Sequence, residues 1–277
     1  MKRIITQVLG TLLPNTHFQA FAGKILYQGP LKGLCAPNFN CYACPLAVFS
    51  CPIGTIQHFA VIRQFPLYAI GYLGVIGMFF GRMVCGWICP FGFLQDLMYR
   101  IRSFKIRIPK PFRYLKYGWL TIVAILVPYL TGVTWFSRLC PQGAIQAGIP
   151  LALGNEEIRG MVGGLFALKI GILVVFLFLF VVSKRPFCVT TCPLGAIYSL
   201  FNRISLIRLE INKQLCNRCG LCLEVCPTAI NPCEDLDSVD CIRCLECKKV
   251  CPHDAIDIKA GLLPSAVIRN RRQSILC

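Results

Sequence analysis

The stretch Arg82-Met-Val-Cys85-Gly-Trp-Ile-Cys89-Pro-Phe-Gly92 returns 103 residues later as Arg185-Pro-Phe-Cys188-Val-Thr-Thr-Cys192-Pro-Leu-Gly195, with Arg, Cys, Cys, Pro and Gly in the same places. Each copy ends in C-x-x-x-C-P, the tail of the run that holds an iron–sulfur cluster on four thiolates, so each alone is two ligands short. Cys85 and Cys89 with Cys188 and Cys192 make one full set, which predicts a single [4Fe-4S] cluster shared by the two copies. The plainer alternative is four cysteines packed as small apolar side chains at helix ends. Recurrence of Pro and Gly in register argues against it. A cluster on four thiolates carries negative charge, and Arg82 and Arg185, each three residues before the first ligand, are positioned to offset it while also anchoring helix ends.

The surrounding composition is that of a membrane protein. Of 277 residues, 56% are hydrophobic and only 15% charged, more apolar than a soluble domain of this size. The net charge of +17 invites comparison with nucleic-acid binders, but its placement decides otherwise. From Arg82 to Lys116 there are eight Lys or Arg and one acid, Asp96, and this cluster abuts an apolar segment. That is the positive-inside signature and excludes a nucleic-acid partner. Nineteen cysteines would suit a secreted disulfide scaffold. However, Met1-Lys2-Arg3 leads into an apolar stretch without a small-residue cleavage site, so no cleavable signal peptide is expected, and most cysteines precede Pro or belong to C-x-x-C patterns, which indicates metal.

Four spans are expected, at Ile4 to Gly23, Phe65 to Gly81, Tyr117 to Phe136 and Met161 to Ser183. The basic flanks put both termini and both R-x-x-C-x-x-x-C-P-x-G boxes at the cytoplasmic face of the inner membrane. On the opposite face, Cys51-Pro-Ile-Gly-Thr-Ile-Gln57 echoes Cys140-Pro-Gln-Gly-Ala-Ile-Gln146. The repeating unit is therefore helix, outer C-P-x-G, helix, inner box, in two parallel copies of about 4–101 and 117–203, related by a pseudo-two-fold axis along the membrane normal. Such an axis brings the inner half-sites together and predicts a second site outside. Leu34 to Ile62 reads as an ordered loop followed by a short helix, and Phe91 to Ile101 as an interfacial amphipathic helix. Five outer cysteines, Cys35, Cys41, Cys44, Cys51 and Cys140, compete for four positions. Symmetry selects Cys51 and Cys140, completed by Cys41 and Cys44, as cluster ligands, with disulfides in an oxidising compartment as the alternative.

The expected fold class is thus all-α integral membrane over 1–203, followed by a small α+β ferredoxin domain over 204–260 and a tail, 261–277. Cys216, Cys219, Cys222 and Cys226-Pro, then Cys241, Cys244, Cys247 and Cys251-Pro, reproduce the two-cluster bacterial ferredoxin pattern. In that pattern the fourth cysteine of each run serves the other cluster. One [4Fe-4S] set is therefore Cys216, Cys219, Cys222 and Cys251, and the other Cys241, Cys244, Cys247 and Cys226. Zinc sites pair widely separated C-x-x-C units rather than tripling them. Cys233 and Cys277 read as plain thiols. Lys169 interrupts a spanning helix, where a charge costs roughly 2.5 to 3.5 kcal/mol at the centre, so it is a candidate cofactor contact or a snorkelling side chain. His17 and His58 are candidate haem or quinone-headgroup contacts, or interfacial residues; His253 reads as a surface residue. Gly71, Gly74 and Gly77 share one helix face and suggest close helix packing.

Cys85-Gly-Trp-Ile-Cys89-Pro-Phe-Gly, Cys188-Val-Thr-Thr-Cys192-Pro-Leu-Gly and the two runs beginning at Cys216 and Cys241 together resemble the membrane polyferredoxin family that includes NapH, NosR and CcoG. The resemblance covers nearly the whole chain. It implies a four-span electron carrier between a donor such as quinol and a partner reductase, with boxes and ferredoxin inside. NosR-like proteins add an outward flavin-binding domain and CcoG-like proteins an outward C-terminal domain, and neither is expected here. The Cys35 to Cys51 loop lies outside the plain NapH pattern. The expected function is an iron–sulfur electron-transfer subunit, with no catalytic residues of its own, relaying electrons from a cytoplasmic or quinone donor to a partner redox enzyme. With an outer cluster the relay crosses the bilayer; without one it is one-sided. The alternative is a redox-dependent assembly or sensing factor for another metalloenzyme.

Overall fold

Cys51, Cys89, Cys140, Cys192, Cys226 and Cys251 each precede a proline, and all six have one backbone shape, with φ between −64° and −75° and ψ between 112° and 123°. The proline ring excludes the helical region for the residue before it, so the shape follows from the dipeptide. After the first four of these cysteines the proline opens a helix, where its fixed φ is suited to the first turn and its missing N–H costs nothing. The punctuation of the chain is thus local.

The computed structural model describes residues 2–20, 26–233 and 238–261. Helix α1 (Lys2–Leu12) runs into a tight turn at Leu13–Asn15, where Pro14 ends it. Next come α2 (Pro52–Val61), α3 (Leu67–Phe80), α4 (Met83–Trp87) and α5 (Pro90–Met98). A long helix α6 (Lys110–Thr131) follows. A helical stretch over 141–154 leads to α7 (Gly164–Val182), α8 (Pro186–Thr190) and α9 (Pro193–Phe201). The order α2, α3, α4, α5 is therefore repeated by 141–154, α7, α8 and α9.

Two helices among the described residues, α6 with 22 residues and α7 with 19, are long and apolar enough to cross a membrane. The other two expected spans are shorter. Helix α1 stops at Leu12, and the last part of Ile4 to Gly23 lies outside the described residues. Helix α3 has 14 residues, about 21 Å at 1.5 Å per residue against a hydrocarbon core of about 30 Å. Helix α6 starts before Tyr117 and stops before Phe136, because Gly132 takes a left-handed conformation (φ 67°) that no helix continues through.

The two halves meet through aromatic side chains. Phe91 of α5 packs on Phe187 of α8 with ring centroids 4.8 Å apart at 87°, edge to face, and on Phe180 of α7 at 5.4 Å. Phe39 and Tyr198 complete this core, into which Cys85, Cys89, Cys192 and Cys244 also project. Gly77 lies directly under the Phe201 ring and Gly74 at its edge, but Gly71 faces nothing within 4 Å, so the expected three-glycine face is a two-glycine contact. A spacing of three on a helix of 3.6 residues per turn drifts about 60° per step, which carries Gly71 off the contact.

The C-terminal part forms one two-stranded antiparallel sheet, β1 (Ile207–Ile211) with β2 (Ile256–Ala260), pairing Leu209 with Ile258. Between the strands lie α10 (Leu221–Val225) and α11 (Glu246–Val250). This part docks on the first box. A β-carbon on Gly86 would collide with the Ile242 carbonyl and lie 3.7 Å from the Cys244 Cα, and the Trp87 indole N–H donates to the Arg243 carbonyl at 2.9 Å. Gly86→Ala must push these backbones apart and is expected to cost about 1–3 kcal/mol. Thermal melting, with Trp87 fluorescence as the reporter of undocking, checks it.

Candidate iron–sulfur sites

The inner boxes converge. Cys85, Cys89, Cys188 and Cys192 are all buried and lie close enough to one another to interact electrostatically. Two crossed hydrogen bonds hold them. The Arg82 Nη2 of the first box donates to the Cys188 carbonyl of the second at 3.0 Å, and the Arg185 Nη1 of the second donates to the Cys85 carbonyl of the first at 2.8 Å. Each guanidinium passes over the glycine that ends the opposite box. A β-carbon on Gly195 would lie 3.3 Å from Arg82, and one on Gly92 3.2 Å from Arg185. The Arg and Gly of the motif are thus one device, split between the two copies. Both arginines are almost fully buried, and each is paired: Arg185 with Asp96 of α5, Arg82 with Asp240 of the C-terminal part. Arg185 adopts a left-handed backbone (φ 46°), strain that its bonds to Asp96 and Cys85 compensate.

The donor set fits a cluster rather than a lone ion. Among the described residues no three His, Cys, Asp or Glu side chains are placed to share one metal ion, whereas thiolates on different irons of a cluster need not converge on a point. Burial pushes the Cys89 and Cys188 thiols up to about 11, so thiolates here need the positive charge of iron and of the two guanidinia. The buried Arg82 guanidinium is directed at the Cys85 sulfur as a hydrogen-bond donor. Gln95 Nε2 already donates to Cys188 Sγ at 3.0 Å.

The two tail runs fold alike. Arg218 and Arg243, Gly220 and Leu245, and Ala229 and Asp254 occupy equivalent positions, and all six have positive φ. Alternation of this kind turns successive N–H groups inward as an anion-binding nest. One enclosed cavity is bordered by Cys216, Cys219, Cys222 and Cys251, a second by Cys226, Cys241, Cys244 and Cys247. The fourth cysteine of each run has thus crossed to the other set. Cys233, expected to be a bystander, borders the first cavity, with its Sγ 3.9 Å from that of Cys216. No spacing rule marks it, since it lies in the linker between the runs. Cys277 lies outside the described residues.

On the opposite face Cys41, Cys51 and Cys140 line one cavity with Lys169, while Cys44 and Cys35 do not line it. Cys44 lies near Cys41 and Lys32, its N–H donating to the Cys41 carbonyl at 3.3 Å, and Cys35 Sγ is 3.5 Å from the Thr55 hydroxyl. The cysteines are all free thiols among the described residues. Lys169 is the half-buried contact of this cavity, its ammonium turned toward Cys41 and Cys140. The histidines take modest roles: His17 Nδ1 is 3.2 Å from the Pro45 carbonyl, His58 is exposed beside Phe59, and His253 is exposed and paired with Asn217. Sequence reasoning missed Asp240 and the pairing role of Asp96; no local pattern marks either.

Residues 67–109, 118–152 and 164–212 match a family described as a 4Fe-4S binding domain, and residues 209–230 and 235–257 match a second of the same description. An uncharacterized protein of Methanocaldococcus jannaschii is 35% identical over 192 residues, 66% of this chain and 74% of the relative. Methylamine utilization ferredoxin-type protein MauN of Methylorubrum extorquens is 29% identical over 192 residues, 68% of this chain and 61% of its own length. Ferredoxin-type protein NapH of Escherichia coli is 28% identical over 192 residues, 64% and 61% of the two chains. No solved structure matches the chain. With its paired cysteine boxes, doubled ferredoxin runs and these relatives, the chain belongs to the NapH/NosR-like polyferredoxin family of ferredoxin-type electron-transfer proteins.

Proposed function

We propose that this chain is an integral-membrane electron-transfer subunit in which the inner boxes and the tail hold three [4Fe-4S] clusters in a continuous relay. The observation that carries the reading is the position of Cys244, which shares a core with Cys85, Cys89 and Cys192 and whose Cα lies against Gly86. Bound clusters supply one-electron oxidation and reduction. The chain's own residues do the rest. Cys85, Cys89, Cys188 and Cys192 bind one cluster, Cys226, Cys241, Cys244 and Cys247 the adjacent one, and Cys216, Cys219, Cys222 and Cys251 the outermost. Arg185 lies close enough to both Cys188 and Cys244 to stabilise negative charge on either neighbour. Burial around Phe91, Phe187 and Tyr198 excludes water from the path.

The membrane reading is supported by α6 and α7, whose apolar windows are only 17% buried, with Leu130, Val174, Val175 and Phe178 exposed. A soluble protein rarely leaves so continuous an apolar surface in water. The basic segment from Arg82 to Lys116 supports a cytoplasmic side for the boxes and the ferredoxin unit, residues 204–260, in this reading. In this reading α1 and α3 pair with α6 and α7 as the remaining membrane helices. The partners are a redox protein docking near the exposed Cys219 and, at the boxes, a quinone or a second protein.

Electron paramagnetic resonance of the reduced protein tests the relay. Adjacent paramagnetic clusters should show mutual broadening, of which the part contributed by the box cluster is lost in Cys85→Ser while the coupling between the two tail clusters remains. A ferredoxin signal identical in the parent and the variant would refute adjacency.

A further inference from the structure

The cavity opposite the boxes is built, not incidental. Cys51 and Cys140 each open a helix through Pro, as Cys89 and Cys192 do at the inner face. In all four the N–H of the glycine three residues on is directed at the cysteine sulfur, which stabilises a thiolate. Cys41 joins them from the loop, its N–H held by Gln146 at 2.8 Å, a residue of the second outer motif. A β-carbon on Gly143 would lie 3.3 Å from Lys169 Nζ, 3.6 Å from Cys41 Sγ and 3.8 Å from Cys140 Cβ, so the ammonium and two cysteines surround one point that only glycine leaves open.

Three features separate this site from the others. Cys41, Cys51 and Cys140 line it, and Cys44 does not. Lys169, carried by a helix that is otherwise uncharged, extends into it. The cavity measures about 390 Å³, against about 20 Å³ for each cavity enclosed by the ferredoxin runs. There is room for a cluster and a small molecule beside it.

We propose that this cavity holds a [4Fe-4S] cluster on Cys41, Cys51 and Cys140 alone, its fourth iron open to the cavity, where a small anion binds next to Lys169. Three thiolates leave the site one negative charge short of a four-cysteine cluster, and the ammonium adds a positive one, so an incoming anion is balanced rather than repelled. Tyr42 and Gln142 offer hydrogen bonds at the wall of the same cavity. The proposal rests on the iron–sulfur reading of the chain and adds to it a ligand-binding iron.

The test uses the full chain, purified without oxygen, with iron and sulfide counts and ¹³C-cyanide as the anion probe. Cys140→Ser is expected to lose about four irons, whereas Cys44→Ser loses none. Cyanide should give ¹³C hyperfine coupling in the parent and in Cys44→Ser, but not in Cys140→Ser. Lys169→Met should weaken cyanide binding about tenfold or more, as loss of a charge-assisted bond does. Cys51→Ser provides a second variant, and retained ferredoxin signals show that a variant is folded. Equal iron loss in Cys44→Ser and Cys140→Ser would overturn the open corner, as would absence of cyanide coupling in the parent. An unchanged count in both Cys140→Ser and Cys51→Ser, or a Cys51–Cys140 disulfide, would overturn the cluster while leaving the inner relay intact. A parent protein without iron would overturn both readings.

Discussion

Asp240→Asn is expected to destabilise the protein by about 3–5 kcal/mol, the cost of leaving buried charge without its partner. The Asp240 carboxylate accepts from Arg82 at 3.1 Å, from Lys116 at 2.5 Å and from Arg113 at 3.4 Å. Arg82 and Lys116 have 0% and 1% of their side chains exposed, so water cannot take over when the carboxylate is lost. Burial alone would raise the Asp240 carboxyl, yet these cations hold it below the ordinary value. The three cations come from the first box and from α6, and Asp240 comes from the C-terminal part, so this one carboxylate ties three regions together. Asp257→Asn is the control. Its ion pair with Lys248 is exposed, 70% on the aspartate side, and exposed pairs contribute about 0–1 kcal/mol. Thermal unfolding should separate the two variants clearly, and limited proteolysis should release the C-terminal part only from Asp240→Asn.

Removing both cysteines of one inner box is expected to cost about four iron atoms, and removing those of the other box as well is expected to cost no more. This non-additivity is the signature of one site built from two halves. Two independent sites would give twice the loss, and cysteines that only pack would give none. The variants Cys85→Ser/Cys89→Ser, Cys188→Ser/Cys192→Ser and their combination, compared by iron and acid-labile sulfide per chain, distinguish the three cases. The crossed bonds from Arg82 to the Cys188 carbonyl and from Arg185 to the Cys85 carbonyl are the reason to expect a shared site.

Much of this was legible in the sequence because the signals are short-range. A cysteine before proline fixes its own backbone, and the spacing of the tail runs marks them as 4Fe-4S binding segments. The 103-residue recurrence of the box announced the repeat, and the crossed bonds from Arg82 to Cys188 and from Arg185 to Cys85 link its two copies. The lengths of the apolar helices were less legible. Pro14 and Gly132 truncate helices that hydropathy alone would continue, since an apolar count does not register a missing N–H or a positive φ.

Sequence by itself carried the recurrence of the box, the spacing of the tail cysteines and the iron–sulfur character of the chain. Tertiary structure alone decided which charges belong together. Arg82 reaches Asp240 across 158 positions of sequence and Arg185 reaches Asp96 across 89. It also placed Cys233 at the border of the first tail cavity, Cys44 outside the lining of the outer one, and Lys169 toward the outer cysteines. Ligand spacing is dictated by bond lengths within a few residues, and so it is written locally. A buried charge needs only some partner of opposite sign within reach, and which one it finds is settled by how the whole chain packs.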